Sequence, residues 1–331
     1  MMGAMLGGGH GRLQGLHGLI ADNLISARVI LANGRLVTAS AKSNPDLFYA
    51  LKGAGHNFGA VLSAKFKIYD ATNGGVHYNA VKIFKQDKIV ELFSALNGFQ
   101  QPPQASIYVV VYPEPTTLEP VVLLDYVYAG PKERGRALFR KTFGHIEATS
   151  TNELILPWNE LNAKSTGGLG AQLCVRGGRK DMYSVSMLEY NTDDVVTLVD
   201  EYGDFVKSYP DVTNSSYLFE SYPTQGVKSQ DWTQSAYSNR AENIIALLTV
   251  WYKDASFDKE AEKYGMRARE IMRSHSGFSK PRLYMNYARG DEGLAPIYGQ
   301  EKWRLEKLVN LKKKYDPEGA FSHYNGIPTK L

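Results

Sequence analysis

The whole sequence holds a single cysteine, Cys174, so no intrachain disulfide can form and nothing marks an oxidising compartment. Long apolar runs are missing too: no window approaches about eighteen uninterrupted apolar residues, which excludes a membrane-spanning helix. Charge is balanced, with 38 basic against 34 acidic residues and a formal net charge of +4, and only Lys312 to Lys314 form a short basic run. That pattern speaks against a nucleic-acid partner. The seven histidines never fall at His-x-x-x-His spacing, so no metal site is expected. There is no Gly-x-Ser-x-Gly elbow for serine catalysis and no Gly-x-x-x-x-Gly-Lys-Ser/Thr phosphate loop. Gly7 and Gly9 begin like a dinucleotide fingerprint, but no strand precedes them and no glycine-initiated helix follows. The first residues, MMGAMLGGGHG, have neither the basic nor the apolar region of a secretory signal. Compartment and oligomeric state carry no signal.

What is present is an ordinary globular composition, 43% apolar and 22% charged over 331 residues, long enough for two domains. Tyrosine is frequent, 21 against 4 tryptophans. Phenol rings pack and also offer a hydroxyl to a polar ligand, as in a binding cleft, although surface sheets are rich in them as well.

Residues 7 to 69 read as a glycine-punctuated series of short strands. Gly7, Gly8, Gly9 and Gly11 open the segment, and Gly53, Gly55 and Gly59 close it. Between them Ala27 to Leu31 and Arg35 to Ala39 flank Asn33-Gly34, a strong hairpin signal. Asn73-Gly74-Gly75 then marks a boundary. Beyond it, helical spacing appears over Gln86 to Phe99, from Pro131 to Gly144, over Asp194 to Tyr209, from Phe257 to His275 and from Gln300 to Lys314. Strand-like runs lie at Val76 to Phe84, Ile107 to Tyr112, Val121 to Tyr128, Ser184 to Tyr190, Ser216 to Tyr222 and Ile244 to Tyr252. The order predicts an α+β fold, an antiparallel sheet covered on one side by helices. Ser165 to Gly170 is a small-residue loop, either ligand-facing or plain surface.

Three linked motifs go further. Gly7-Gly8-Gly9-His10-Gly11 is followed by Gly18-Leu19-Ile20-Ala21-Asp22-Asn23-Leu24 and then by the stretch from Asp46 to Gly59, DLFYALKGAGHNFG. Near the end, Tyr284, Asn286 and Tyr287 form a Tyr-x-Asn-Tyr strand, and Asp316-Pro317 leads through Phe321 to Ile327. In this order the motifs resemble the FAD-linked oxidoreductases of the berberine bridge enzyme type. The resemblance implies a PCMH-type FAD-binding lobe over residues 1–70, a substrate domain over 71–281, and a C-terminal segment, 282–331, that returns to the lobe. In that family an N-terminal lobe ahead of the triple glycine carries the pyrophosphate loop and the histidine that attaches the flavin. The residues before Gly7 cannot play these parts, and Cys174 is far from the place of a second covalent link. The lobe is therefore expected to be incomplete, the chain N-terminally truncated, and the family's covalent-link histidine and cysteine absent from it.

The resemblance implies FAD as cofactor, contacted by Gly8, Gly9, His10, Gly11, Asp22, Asn23, Asn286 and Asn325. His10 stands where the family has an aromatic residue, either donating to an anionic flavin or phosphate or, as is more common, serving merely as a tolerated aromatic. Asp22 and Asn23 suit turn fixing by side-chain to backbone hydrogen bonds. For proton abstraction the resemblance points to Tyr284 and Tyr287, because a phenol beside a cation or donor can act as a base. Glu189, beside Tyr190 in a strand of the substrate domain, is a further candidate base or a plain solvent-facing carboxylate. The expected function is oxidation of a small molecule, a carbohydrate or a specialised metabolite. A flavin-free cyclase or isomerase on the same fold, or an inactive fragment, are the alternatives.

Overall fold

A computed structural model describes residues 1–170 and 175–330, so Cys174 lies outside the described residues. The chain forms two compact units: Met1–Tyr69 with Thr224–Glu242 and Ser279–Leu331, and Asp70–Pro223 with Asn243–Phe278. The segment 224–242, which sequence reading leaves inside the middle domain, thus belongs to the first unit. Its backbone is tied there: Ala236 N–H donates to Tyr49 O and Tyr237 N–H to Lys52 O.

In the first unit, strands β1 (Leu24–Ile30), β2 (Leu36–Ser40) and β3 (Ala60–Phe66) make an antiparallel sheet in the order β2-β1-β3. The Asn33-Gly34 turn closes the β1–β2 hairpin, with Gly34 at φ 77° and Leu31 N–H donating to Arg35 O. The stretch before Gly53 is not a strand. Pro45–Leu51 is a helix, with Pro45 in the first turn, Asp46 at the positive end of the dipole, and Leu47, Phe48 and Leu51 buried. A second helix, Lys302–Tyr315, joins it in one apolar cluster with Leu47, Leu51, Phe58, Leu308 and Leu311.

The second unit is a seven-stranded antiparallel sheet of β4 (Val76–Lys85), β5 (Ala105–Pro113), β6 (Pro120–Tyr128), β7 (Ser150–Pro157), β8 (Arg179–Met187), β9 (Ser216–Ser221) and β10 (Ile244–Tyr252). Their spatial order is β7-β4-β6-β5-β9-β10-β8. Helices Ile89–Gly98, Lys132–Phe143, Thr192–Ser208 and Asp258–Ser274 bury Phe93, Phe139, Val199 and Met272 in the same cluster as Tyr126, Phe219 and Ala246 of the strands. The α+β layout expected from the sequence is the one observed. Thr192–Ser208 shows why a helix starts where it does: Asn191 accepts the Asp194 N–H at 3.0 Å, and Asp193 and Asp194 occupy the first turn. Strand β7 has no counterpart in the sequence reading. Ser165 and Thr166, read as the start of a loop, are buried, and Thr166 N–H donates to the buried Asp125.

Candidate active site

The triple-glycine loop is the centre of the first unit's polar chemistry. Gly8 and Gly9 sit at φ 105° and 84°, backbone that side chains rarely adopt, and Ile20 and Ala21 donate their N–H groups to the carbonyls of Gly9 and Gly8, both at 2.9 Å. A Cβ on Gly7 would lie 2.1 Å from Asn286 Oδ1, and one on Gly8 2.5 Å from the Tyr237 ring. These glycines therefore admit the chain's own side chains. Gly11 has nothing within 4 Å of where its Cβ would be.

His10, predicted as a cofactor contact, has both ring nitrogens engaged by the protein. Nδ1 is 2.8 Å from Gln14 Oε1, and Nε2 is 2.6 Å from the Tyr237 hydroxyl and 3.1 Å from Glu242 Oε1. Tyr237 OH in turn donates to Glu242 Oε1. The His10 and Glu242 side chains are only 5% and 4% exposed. Burial, and then the Glu242 charge, push the Tyr237 phenol far above its ordinary range, so it stays protonated.

Asp22 and Asn23 fix the following turn. Asp22 accepts the Leu19 N–H and takes both terminal nitrogens of Arg240, at 3.0 and 2.6 Å. Asn23 donates to His17 O and Leu19 O and accepts from Tyr69 OH. The two residues hold protein groups, in the turn-fixing manner their types favour.

Tyr284, Asn286 and Tyr287 lie beside the glycine loop, but not on a strand. Met285–Tyr287 is a single 3-10 turn, closed by Tyr287 N–H to Tyr284 O. The alternation of the sequence resembles a strand, yet no neighbouring strand pairs with it among the described residues. Asn286 Nδ2 donates to Tyr284 OH at 2.6 Å and to Ala4 O at 3.1 Å. The Tyr284 ring stands edge to face against His10 (4.7 Å, 87°) and Tyr287 (5.1 Å, 76°). Tyr284 is buried and Tyr287 half-buried.

Asn325 joins the same unit from the tail. Its backbone is held at φ 43° by Tyr298 OH, which donates to Asn325 O, while the neighbouring Tyr324 OH donates to Met285 O and Ala288 O. Both polar atoms of the Asn325 side chain are buried without a hydrogen-bond partner. A left-handed asparagine with an unsatisfied amide costs stability, and such positions cluster at ligand sites.

Glu189 is the candidate base that does not belong to the first unit. It belongs to the second unit, beyond the end of β8 at Met187, and is exposed. Its neighbour Tyr190 is the buried residue, packed against Phe93. Sequence reading missed Tyr237, Arg240 and Glu242. The available signal was Gly53, where a Cβ would come within 2.3 Å of Tyr237 N.

A family model described as berberine and berberine like matches residues 283–328, the segment holding Tyr284, Asn286, Tyr287 and Asn325. In sequence and in fold the chain is similar to berberine bridge enzyme-like proteins. It is 35% identical over 335 residues to the FAD-linked oxidoreductase anuG of Penicillium roqueforti, covering 99% of this chain and 65% of that protein. Its fold is similar to that of BBE-like 1 from Physcomitrella patens, at a TM-score of 0.83 and 20% identity, over 100% of this chain and 70% of that one. A xylooligosaccharide oxidase from Myceliophthora thermophila, in complex with xylobiose, matches at a TM-score of 0.76 and 22% identity, over 98% and 70%. The chain spans about 65% of the length of the curated relatives it matches.

The cofactor named with those relatives is FAD, whose ring can be compared with the hydrogen-bonding groups of the tail. The pyrimidine edge of an isoalloxazine alternates carbonyl acceptors with an N–H donor, and the Asn325 amide has a buried donor and a buried acceptor to offer it.

Proposed function

We propose that the chain acts as an FAD-dependent oxidoreductase on a small polar molecule, a carbohydrate or a specialised metabolite. Similarity along 99% of the chain to an FAD-linked oxidoreductase carries this reading. The packing of the Tyr284-Asn286-Tyr287 turn beside the glycine loop supports it. FAD, when bound, supplies the acceptor for the substrate's hydride.

The chain's residues supply position and proton handling. Asn325 would hold the ring edge through its unsatisfied amide. Asn286 fixes the Tyr284 hydroxyl and so fixes the ring against which Tyr287 packs. Tyr287, the more accessible phenol, is assigned, in its phenolate form, to take the substrate's hydroxyl proton at its oxygen, becoming the neutral phenol. A xylobiose-bound structure of similar fold supports a carbohydrate, and the fungal relatives named only as oxidoreductases leave a specialised metabolite as the other substrate class.

The test is the protein purified after expression with excess FAD. A flavin absorbance spectrum that bleaches anaerobically with an oligosaccharide or a phenolic metabolite is the expected result. Tyr287→Phe should keep the spectrum and slow bleaching about a hundredfold. A colourless protein that also fails to take up added FAD overturns the reading.

A further inference from the structure

The edge of the second unit's sheet holds a buried cation that no carboxylate balances. In the β4–β7 pair Lys82 stands opposite Thr151 and Ala80 opposite Glu153, so Lys82, Thr151 and Glu153 share one face of the sheet. The helix Lys132–Phe143 brings Phe139 and Arg140 to them, and Gly144 follows its last residue. Together these residues line a cavity of about 430 Å³, beside the edge strand β7.

Lys82 is only 5% exposed. Two of its three ammonium protons go to Phe143 O and Ile146 O, both at 2.7 Å, at the end of that helix. Among the described residues the third proton has no acceptor, and no carboxylate lies within ion-pair distance. Burial pushes the ammonium below its ordinary range, and the Glu91 charge offsets only part of this. Capping a helix end accounts for the two hydrogen bonds, but not for burying a charge that nothing neutralises. Other donors at the cavity are open as well. Arg140 spends one nitrogen on Glu153 Oε1, at 3.4 Å, and its remaining nitrogens and the Thr151 hydroxyl bond to no other described side chain. Glu153, the carboxylate that lines the cavity, is already held by Arg136 Nε at 2.6 Å. Lys82 and Arg140 therefore bring two uncompensated positive charges to one cavity.

We propose that this cavity binds a phosphoryl group, with the Lys82 ammonium, the Arg140 guanidinium and the Thr151 hydroxyl as its donors. A phosphate dianion matches both charges, whereas a carboxylate would neutralise only one. The cavity is larger than a bare phosphate fills, and Phe139 offers an apolar wall to an organic remainder, so free phosphate and a phosphorylated metabolite are the two sources. All the groups lie in the second unit, and the proposal does not rest on the flavin reading.

Titration calorimetry of the purified chain at low ionic strength and about pH 7.5, where phosphate is mostly dianionic, tests the site with inorganic phosphate, phenyl phosphate and acetate. Inorganic phosphate should bind once per chain, and acetate about tenfold more weakly or less. Phenyl phosphate binding more tightly than inorganic phosphate supports the site and identifies an organic phosphate as its ligand, while equal binding supports it with free phosphate. Lys82→Met should weaken phosphate binding about thirtyfold. Because that substitution also removes the helix cap, Arg140→Gln, at an exposed side chain, supplies a second measurement: circular dichroism unchanged and affinity down about tenfold. Thr151→Val should cost about threefold. Neither phosphate binding at up to about 20 mM, affinity unchanged in Arg140→Gln, or acetate binding as tightly as phosphate each overturns the proposal.

Discussion

The two units keep their folds by different means. The second is built on one large apolar cluster, in which four helices lay Phe, Val, Leu and Met side chains on a sheet. The first is smaller in apolar content and is threaded with buried charges: Lys312 with Asp316, Arg240 with Asp22, and Arg304 with backbone carbonyls. Apolar packing degrades gradually, by the volume removed, whereas a buried ion loses its compensation all at once. The second unit buries charged groups too, Lys82 on the carbonyls of Phe143 and Ile146 and Asp125 on Asn79 and Thr166, but the Lys312–Asp316 and Arg240–Asp22 ion pairs are in the unit that carries the candidate site. That suits a site whose side chains must keep fixed orientations.

The largest effect should come from opening one such contact. Lys312 is fully buried and donates to Asn57 O at 2.9 Å and to Asp316 at 2.5 Å. Lys312→Met leaves the Asp316 carboxylate buried with no counterion, and should destabilise the first unit by about 3–5 kcal/mol. Hydrogen exchange resolved by unit is the measurement. A loss shared equally by the apolar cluster of the second unit, or no loss, would break the contrast.

A smaller effect should appear on lowering pH. Burial, the main cause, pushes His56 down to about 4, while Asn57 Nδ2 donates to its Nε2 and keeps that nitrogen an acceptor. Its folded value lies below the ordinary value of about 6.5, so the unfolded chain binds the extra proton between those limits. Stability should therefore fall as pH drops from about 6.5 to 4, by about 3 kcal/mol in all. Below that, Asp316 adds to the loss. Burial raises its carboxyl, but Lys312 and the Phe321 and Ala320 N–H groups more than offset this and leave it below the usual range. Its contribution is present above the unfolded value and disappears as pH falls through the folded one. Denaturation followed at pH 7, 5.5 and 4.5 should show the slope, and His56→Gln should flatten its upper part.

The contrast also explains what could be read from the sequence. The second unit was largely legible because its order is local. Val195, Leu198, Val199 and Tyr202 repeat at helical spacing within one helix, and β5, β6 and β10 are apolar runs each broken by a single polar residue, Ser106, Asp125 and Thr249. In the first unit the hairpin was legible through Asn33-Gly34, a local turn. Pro45-Asp46 announced a helix start that the surrounding glycines obscured. The site itself depends on pairs such as His10 with Tyr237 and Asn57 with Tyr298, more than 200 residues apart. No period encodes such a pairing. The 224–242 segment has no regular pattern of its own, so Tyr237, Arg240 and Glu242 became visible only when the chain was folded. Tyr284 and Tyr287 could be singled out only because their motif resembles a known family's. Their alternating neighbours suggested a strand, and a 3-10 turn was found.

The smallest effect tests the other half of the contrast. Ile89, at the start of its helix, is 2% exposed in the large cluster with Leu92 and Phe93. Ile89→Val removes one methylene group from a well-filled apolar site and should cost about 1 kcal/mol, seen in the second unit's exchange and not in the first's. Nothing polar is left unsatisfied, so neighbouring side chains can relax toward the small void and the site keeps its fold. If this substitution instead cost as much as Lys312→Met, the second unit would be as brittle as the first, and its large apolar cluster would owe its stability to precise interlocking rather than to buried area.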